Sequence, residues 1–181
     1  ARFACELALQ RSGRVTVSAK TNMLPATDRW FCEIAREISE EYAGVEYEEF
    51  IVDDMAHRLV VRPQDIDVLL LPNLYGDILS DLGAGTIGGL GLAPSGCYGH
   101  EFAYFESAHG TAPDLAGKGT INPTATLLSA AMMLRHLHLK DAADRLERAL
   151  EHVYLSNSDL TPDQGGEATT ERFAEAVIGA L

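Results

Sequence analysis

The run DVLLL at residues 67–71, bounded by Pro63 and Pro72, reads as a strand whose side chains are covered on both faces. Working outward, Val15 to Ser18 alternates as a short strand ending at Lys20, and Val45 to Val52 is an extended stretch followed by Asp53. Helical periodicity separates these runs. Phe3, Leu7 and neighbouring alanines share one face of a first helix that stops at Gly13. A second helix starts at Thr27 as N-cap, carries Trp30, Phe31, Ile34, Ile38 and Tyr42 along one stripe, and stops at Gly44. Strands alternating with helices predict an α/β fold with a largely parallel sheet.

Further along, seven glycines fall between Gly83 and Gly99, a place for a hinge or a domain crossing. Phe102 to Ser107 reads as a strand. Pro123 opens a helix, apolar nearly all round to Leu139 and hence expected to be buried on several sides. Two amphipathic helices follow, from Asp141 to Leu155 and from Thr170 to Leu181. The expected division is 1–88 and 89–181.

A net charge of −13 on 181 residues argues against a nucleic-acid or anionic-membrane surface and suits a divalent cation. The apolar runs are too short to span a bilayer and the start has no signal-peptide layout, so a cytoplasmic location is expected. Cys5, Cys32 and Cys97 have no paired spacing, which points to buried or half-buried thiols in a reducing compartment. The sequence runs from Ala1 straight into a helix, suggesting that an upstream portion exists.

Asp77 and Asp81, in NLYGDILSDL (73–82), stand four apart, so on a helix their carboxylates share one face and a Mg²⁺ or Mn²⁺ ion would relieve their repulsion. Alternatively both occupy the first turns of a helix, where the dipole favours acids. Lys20 and Asp53 project from strand ends, where sites in α/β sheets lie, although a solvated surface charge has the same sequence appearance. Gly83, Gly85 and Gly88 have the spacing of a dinucleotide fingerprint without the strand before it, and the match is rejected. The segment ESAHGTAPDLAGKGTINP (106–123) is richer: a histidine, small residues permitting close backbone approach, an acid, and an Asn-Pro helix start. His109 is either a ligand-site residue or a packed loop histidine.

Taken together, SAKTN (18–22), NLYGDILSDL, GGLGLAPSG (88–96) and FESAHGTAPDLAGKGTINPTATLLSAAMMLRHL (105–137) resemble, in order and spacing, the signature segments of the isocitrate/isopropylmalate dehydrogenase family, carboxy-terminal half. The resemblance implies NAD-dependent oxidative decarboxylation of a 2-hydroxy acid by a homodimer or higher oligomer. It implies that Asp77, Asp81 and Asp53 are metal ligands, with Asp53 and the proton-transfer lysine, Lys20, contributed across the dimer. Asn22 falls near the nicotinamide. Glu106, His109, Gly110, Thr111, Ala112, Asp114, Leu115 and Asn122 fall on the cofactor loop, with Asn122 at the adenine.

The family's amino-terminal portion, with its substrate-gripping serine and arginine cluster and its catalytic tyrosine, is absent from this sequence. Isocitrate is the leading substrate because FESAHGTAP is closer to isocitrate enzymes than the EPVHGSAP style. The SAKTN segment keeps 3-isopropylmalate, tartrate and D-malate open. Asp114, Leu115, Pro162 and Gly166 replace the groups that would meet a 2′-phosphate, which implies NAD rather than NADP. A non-catalytic regulatory subunit is the competing reading, and retention of Lys20, Asp53, Asp77 and Asp81 counts against it.

Overall fold

The computed structural model describes residues 1–181 and divides into two compact units, 1–83 and 84–181. In the first, β1 (Arg14–Ala19) is the centre of a three-stranded parallel sheet of order β2-β1-β3, with β2 (Glu46–Ile51) and β3 (Val68–Leu70) on either side. β1 is the strand covered on both faces: residues 15–19 are all buried. Val15, Val17 and Ala19 enter the apolar core. The facing Ser18 hydroxyl is satisfied by donating to the Phe50 carbonyl at 2.8 Å.

The DVLLL run plays a lesser part than its composition implies. β3 holds three residues and only Val68 is buried, because it has a strand neighbour on one side alone. Asp67 lies just outside it and has a different task. Its carboxylate accepts from the Ser12 hydroxyl at 2.5 Å, the Ser12 amide at 2.9 Å and Arg11 Nε at 2.5 Å, tying the turn before β1 to the start of β3. Those donors, the Ser12 hydroxyl foremost, hold the Asp67 carboxyl down at about 2. A depressed folded pKa gives stability that is complete above the unfolded value and lost as pH falls from about 4 towards 2. Asp67→Asn is therefore expected to cost about 2 kcal/mol at neutral pH. Chemical denaturation of wild type and variant should show the gap closing on acidification.

α1 (Arg2–Leu9) buries Ala4, Cys5 and Ala8, leaving Phe3 and Leu7 exposed. α2 (Asp28–Glu40) likewise buries Asp28, Cys32, Ala35 and Ser39, whereas Trp30 is 64% exposed. Both helices turn their small residues to the sheet; of the large-residue stripe read from α2, Phe31 and Tyr42 are half-buried against the core, while Trp30 and Ile34 are exposed. Nor does Thr27 cap α2. It has helical φ/ψ, and its hydroxyl meets Asp28 at 3.2 Å. Gly13 does stop the first helix region: its φ is +81°, and a Cβ there would lie 2.7 Å from the Gly44 carbonyl oxygen.

α3 (Val52–Val61) starts directly from β2, so Asp53 occupies the first turn of a helix and not a strand end. α4 (Asn73–Thr86) follows β3.

The second unit pairs β4 (Pro94–Tyr98) with β5 (Ala103–Ser107) as an antiparallel hairpin, Pro94 opposite Ser107. The glycine-rich segment read as a hinge thus supplies the end of α4, a 3₁₀ turn at Leu90–Leu92 and a strand. α5 (Thr124–His136) packs on the hairpin and on α6 (Lys140–Ser156). It ends earlier than Leu139, and Met133, Leu137 and Leu139 are exposed, so burial does not reach all round it. α6 and α7 (Thr170–Ala180) enclose Ala149, Leu150, Val153, Leu160, Phe173 and Val177. The Thr169 hydroxyl caps α7 by accepting from the Arg172 amide. All three cysteines are free; Cys5 and Cys32 are buried as expected, but Cys97, on the two-stranded hairpin, is exposed, and burial pushes the Cys32 thiol up to about 11. No helix is long and apolar enough to cross a membrane.

Candidate active site

Because β1, β2 and β3 are parallel, their carboxyl ends share one edge of the sheet, the usual location of sites in open α/β sheets. Lys20 follows the central strand, Asp53 opens α3 after β2, and α4 begins after β3. The Lys20 ammonium and the Asp53 carboxylate form an ion pair. Its hydrogen bond holds the Asp53 carboxyl below its ordinary value, so the carboxylate stays ionised.

Asp28 was not singled out from the sequence. It is 8% exposed, and its Oδ2 accepts from the Lys20 amide at 2.8 Å. It also faces Tyr75, in the first turn of α4: burial first, then the bond to Asp28, pushes that phenol up. One buried carboxylate therefore braces the strand end carrying Lys20 and the start of α4. The signal was present as an acid directly after Thr27, but helix-start statistics assign such an acid to the dipole. Asn22 lies in the turn after β1 and is exposed.

Asp77 and Asp81 are the fifth and ninth residues of α4, and its first turn holds no acid. The dipole explanation for the pair therefore does not apply. Both side chains are exposed, and none of the chain's ion pairs involves either. Two hard oxygen donors one helical turn apart fit part of an octahedral Mg²⁺ or Mn²⁺ shell. The chain brings no third His, Cys, Asp or Glu to them: no cluster of three such groups able to hold a metal forms, and Asp53 is engaged with Lys20.

In the second unit, Glu106 lies on β5, exposed, with its carbonyl accepting from the Ser129 hydroxyl at 2.6 Å. His109 is half-buried, its Nδ1 3.0 Å from the Gly110 carbonyl oxygen. Gly110, Thr111, Asp114 and Leu115 are exposed along the following loop. A Cβ at Gly110 would meet nothing within 4 Å. Ala112 has φ +42°, a left-handed conformation costing a non-glycine residue about 1 kcal/mol. It turns the chain into the 3₁₀ turn at Pro113–Leu115.

Asn122 closes the segment and is 3% exposed. Its Nδ2 donates to the Tyr154 hydroxyl at 3.1 Å and to Asp163 Oδ2 at 3.0 Å, while its Oδ1 accepts from the Thr124 amide at 3.0 Å. The carboxamide is consumed internally, so what Asn122 has to offer a ligand is its main chain. Gly83 and Gly85 lie inside α4, where no phosphate-binding fingerprint forms.

These features define an α/β chain with a lysine–carboxylate edge on a parallel sheet and a separate small-residue loop leading into a helix. The chain belongs to the isocitrate/isopropylmalate dehydrogenase family, whose sequence model matches residues 1–177. It is 52% identical over 165 residues to the isocitrate/homoisocitrate dehydrogenase of Thermus thermophilus, covering 91% of this chain and 49% of that protein. It is 48% identical to the 3-isopropylmalate/3-methylmalate dehydrogenase of Methanocaldococcus jannaschii, covering 97% of this chain and 54% of that protein. The crystal structure of isocitrate dehydrogenase from Methylococcus capsulatus superposes with a TM-score of 0.94 at 44% identity, over 99% of this chain and 54% of that one. The chain spans about half the length of the curated relatives it matches. The family's members are decarboxylating dehydrogenases, hence oxidoreductases.

Proposed function

We propose that the full-length protein oxidatively decarboxylates isocitrate to 2-oxoglutarate with NAD, residues 1–88 forming the metal-site and subunit-pairing lobe and 89–181 the cofactor lobe. The observation that carries this is the Lys20–Asp53 pair at the sheet edge together with the Asp77/Asp81 pair on α4, four functional groups kept in one chain. Their joint retention also favours a catalytic over a regulatory subunit. The human mitochondrial NAD isocitrate dehydrogenase alpha subunit, 46% identical over 98% of this chain and 49% of its own length, supports the same reading. The archaeal relative named for 3-isopropylmalate favours that acid as the second candidate.

Oxidation removes a hydride from the hydroxyl-bearing carbon, delivered to NAD⁺, and a proton from the hydroxyl oxygen. Lys20, as the free amine, accepts that proton, directly or through water, and the ammonium so formed is held by Asp53. Asp77 and Asp81, with Asp53 from a second subunit, would hold a divalent cation, which would supply Lewis acidity at the 2-oxo group as CO₂ leaves. Residues 106–122 would hold the adenosine half of the cofactor, where Asp114 would accept from the ribose hydroxyls and repel a 2′-phosphate; the family resemblance assigns Asn22 to the nicotinamide.

Gly166 adds a local reason for NAD. A Cβ there would lie 1.9 Å from the Leu160 carbonyl oxygen, so this turn excludes any phosphate-binding side chain at that position. The full-length enzyme is expected to show kcat/KM for NAD at least about 100-fold above that for NADP, from one lost charge-assisted contact and one repulsion. Steady-state kinetics with both cofactors, using isocitrate and 3-isopropylmalate in turn, checks cofactor and substrate together. Comparable NADP activity would overturn the cofactor assignment, and preference for 3-isopropylmalate the substrate.

A further inference from the structure

The closure of the cofactor segment depends on a carboxylate beyond residues 106–122, Asp163, in the turn that also carries Pro162 and Gly166. Asp163 Oδ1 accepts from the Thr161 hydroxyl at 2.6 Å, and its Oδ2 accepts from Asn122 Nδ2 and from Gln164 Nε2, both at 3.0 Å. Gln164 Nε2 also donates to the Gly88 carbonyl at 3.2 Å, and a Cβ added to Gly91 would lie 3.4 Å from Asn122 Cβ and 3.5 Å from Asp163 Oδ2. Three stretches of the second unit, the glycine turn at 88–92, the loop ending at Asn122 and the turn at 161–164, therefore meet at this carboxylate. An ionised carboxylate only accepts, so it can receive all three donors at once.

The consequence reaches Asn122. A carboxamide can flip, exchanging its donor and acceptor ends. Here Asp163 demands the NH₂ end and the Thr124 amide demands the oxygen, so a single orientation satisfies both. Tyr154 adds a second constraint, because its hydroxyl takes the other Nδ2 proton and lies 2.8 Å from Thr124 Oγ1. The start of α5 and the backbone leading into it are fixed as one piece. Burial pushes the Asp163 carboxyl up, but its hydrogen bonds from Thr161, Gln164 and Asn122 outweigh that and keep it below the ordinary range.

We infer that Asp163 is a positioning residue for the cofactor: it locks the Asn122 carboxamide in one orientation and so presets the main chain of residues 120–122 for the dinucleotide. This rests on the reading of residues 106–122 as the cofactor loop. Presetting acts on binding and not on the chemical step, so its loss raises the KM for NAD while kcat and the KM for the hydroxy acid stay nearly constant.

The test is a swap in the full-length enzyme. Asn122→Asp sets two carboxylates against each other and is expected to raise the KM for NAD by about ten- to 100-fold, the range of a charge-assisted hydrogen bond. Adding Asp163→Asn restores a donor facing an acceptor with the polarity reversed, and should recover most of that loss. A double variant no better than Asn122→Asp overturns the positioning role while leaving the cofactor loop in place. An unchanged KM for NAD in Asn122→Asp overturns the cofactor reading, and the inference with it. Should Asn122→Asp fail to fold by thermal melting, Asp163→Ala serves instead. It is expected to raise the KM for NAD about tenfold with kcat within about twofold, and an unchanged KM or a matching fall in kcat overturns the role.

Discussion

Asp77→Asn or Asp81→Asn in the full-length enzyme is expected to lower turnover by about two to three orders of magnitude and to raise the Mg²⁺ or Mn²⁺ concentration needed for half-maximal rate. The reasoning runs from α4. The pair stands one turn apart in mid-helix with no cation from the protein against it, so a bound ion would turn its mutual repulsion into attraction. Removing one charge weakens that ion's hold and withdraws several kcal/mol of transition-state charge stabilisation. Titration of activity with metal after thorough chelation measures both effects. A full-length enzyme whose rate survives chelation unchanged would reduce Asp77 and Asp81 to surface acids, and the proposed mechanism would lose its centre.

The second large effect is a restoration. Lys20→Ala and Asp77→Asn are each expected to be nearly inactive alone, since a positioned proton-transfer group contributes about 100- to 10,000-fold. Mixed under conditions of subunit exchange, they should give heterodimers with about half the activity of the wild-type dimer. We propose that Lys20 and Asp53 serve the metal pair of a second subunit, so one of the two sites in such a heterodimer receives neither lesion. No recovery, with exchange shown independently by mass or label transfer, would assign all four residues to a single chain's site.

Local pattern made Lys20, Asp53, Asp77 and Asp81 candidates, and the resemblance to the family, through several motifs in order, favoured a site over surface charge for each. Lys20 ends an alternating run, Asp53 follows an extended one, and the two carboxylates on α4 have the i, i+4 spacing of a helix face. The parallel α/β character was equally legible, since it depends on the order of periodicities along the chain and on nothing distant. Local pattern misjudged the fine placement. Asp53 proved to be in the first turn of α3, and the glycine-rich segment contained a strand that pairs with β5.

Periodicity and turn chemistry act within a few residues of one another, so they revealed the alternation of helices with strands and the residues beside the strand ends, but not α3 or β4. Tertiary structure alone decided which helix faces are covered. In α2 a stripe of large apolar residues was evident, yet Cys32 and Ala35 are buried and Trp30 is exposed, because the sheet admits small side chains at close approach and periodicity carries no record of which neighbour a face will meet. Tertiary structure also created the braces. Asp28 takes the Lys20 amide across 8 residues and Asp163 takes the Asn122 amide across 41. A carboxylate's partner at such separations is set by how the chain folds back, and no spacing rule encodes it.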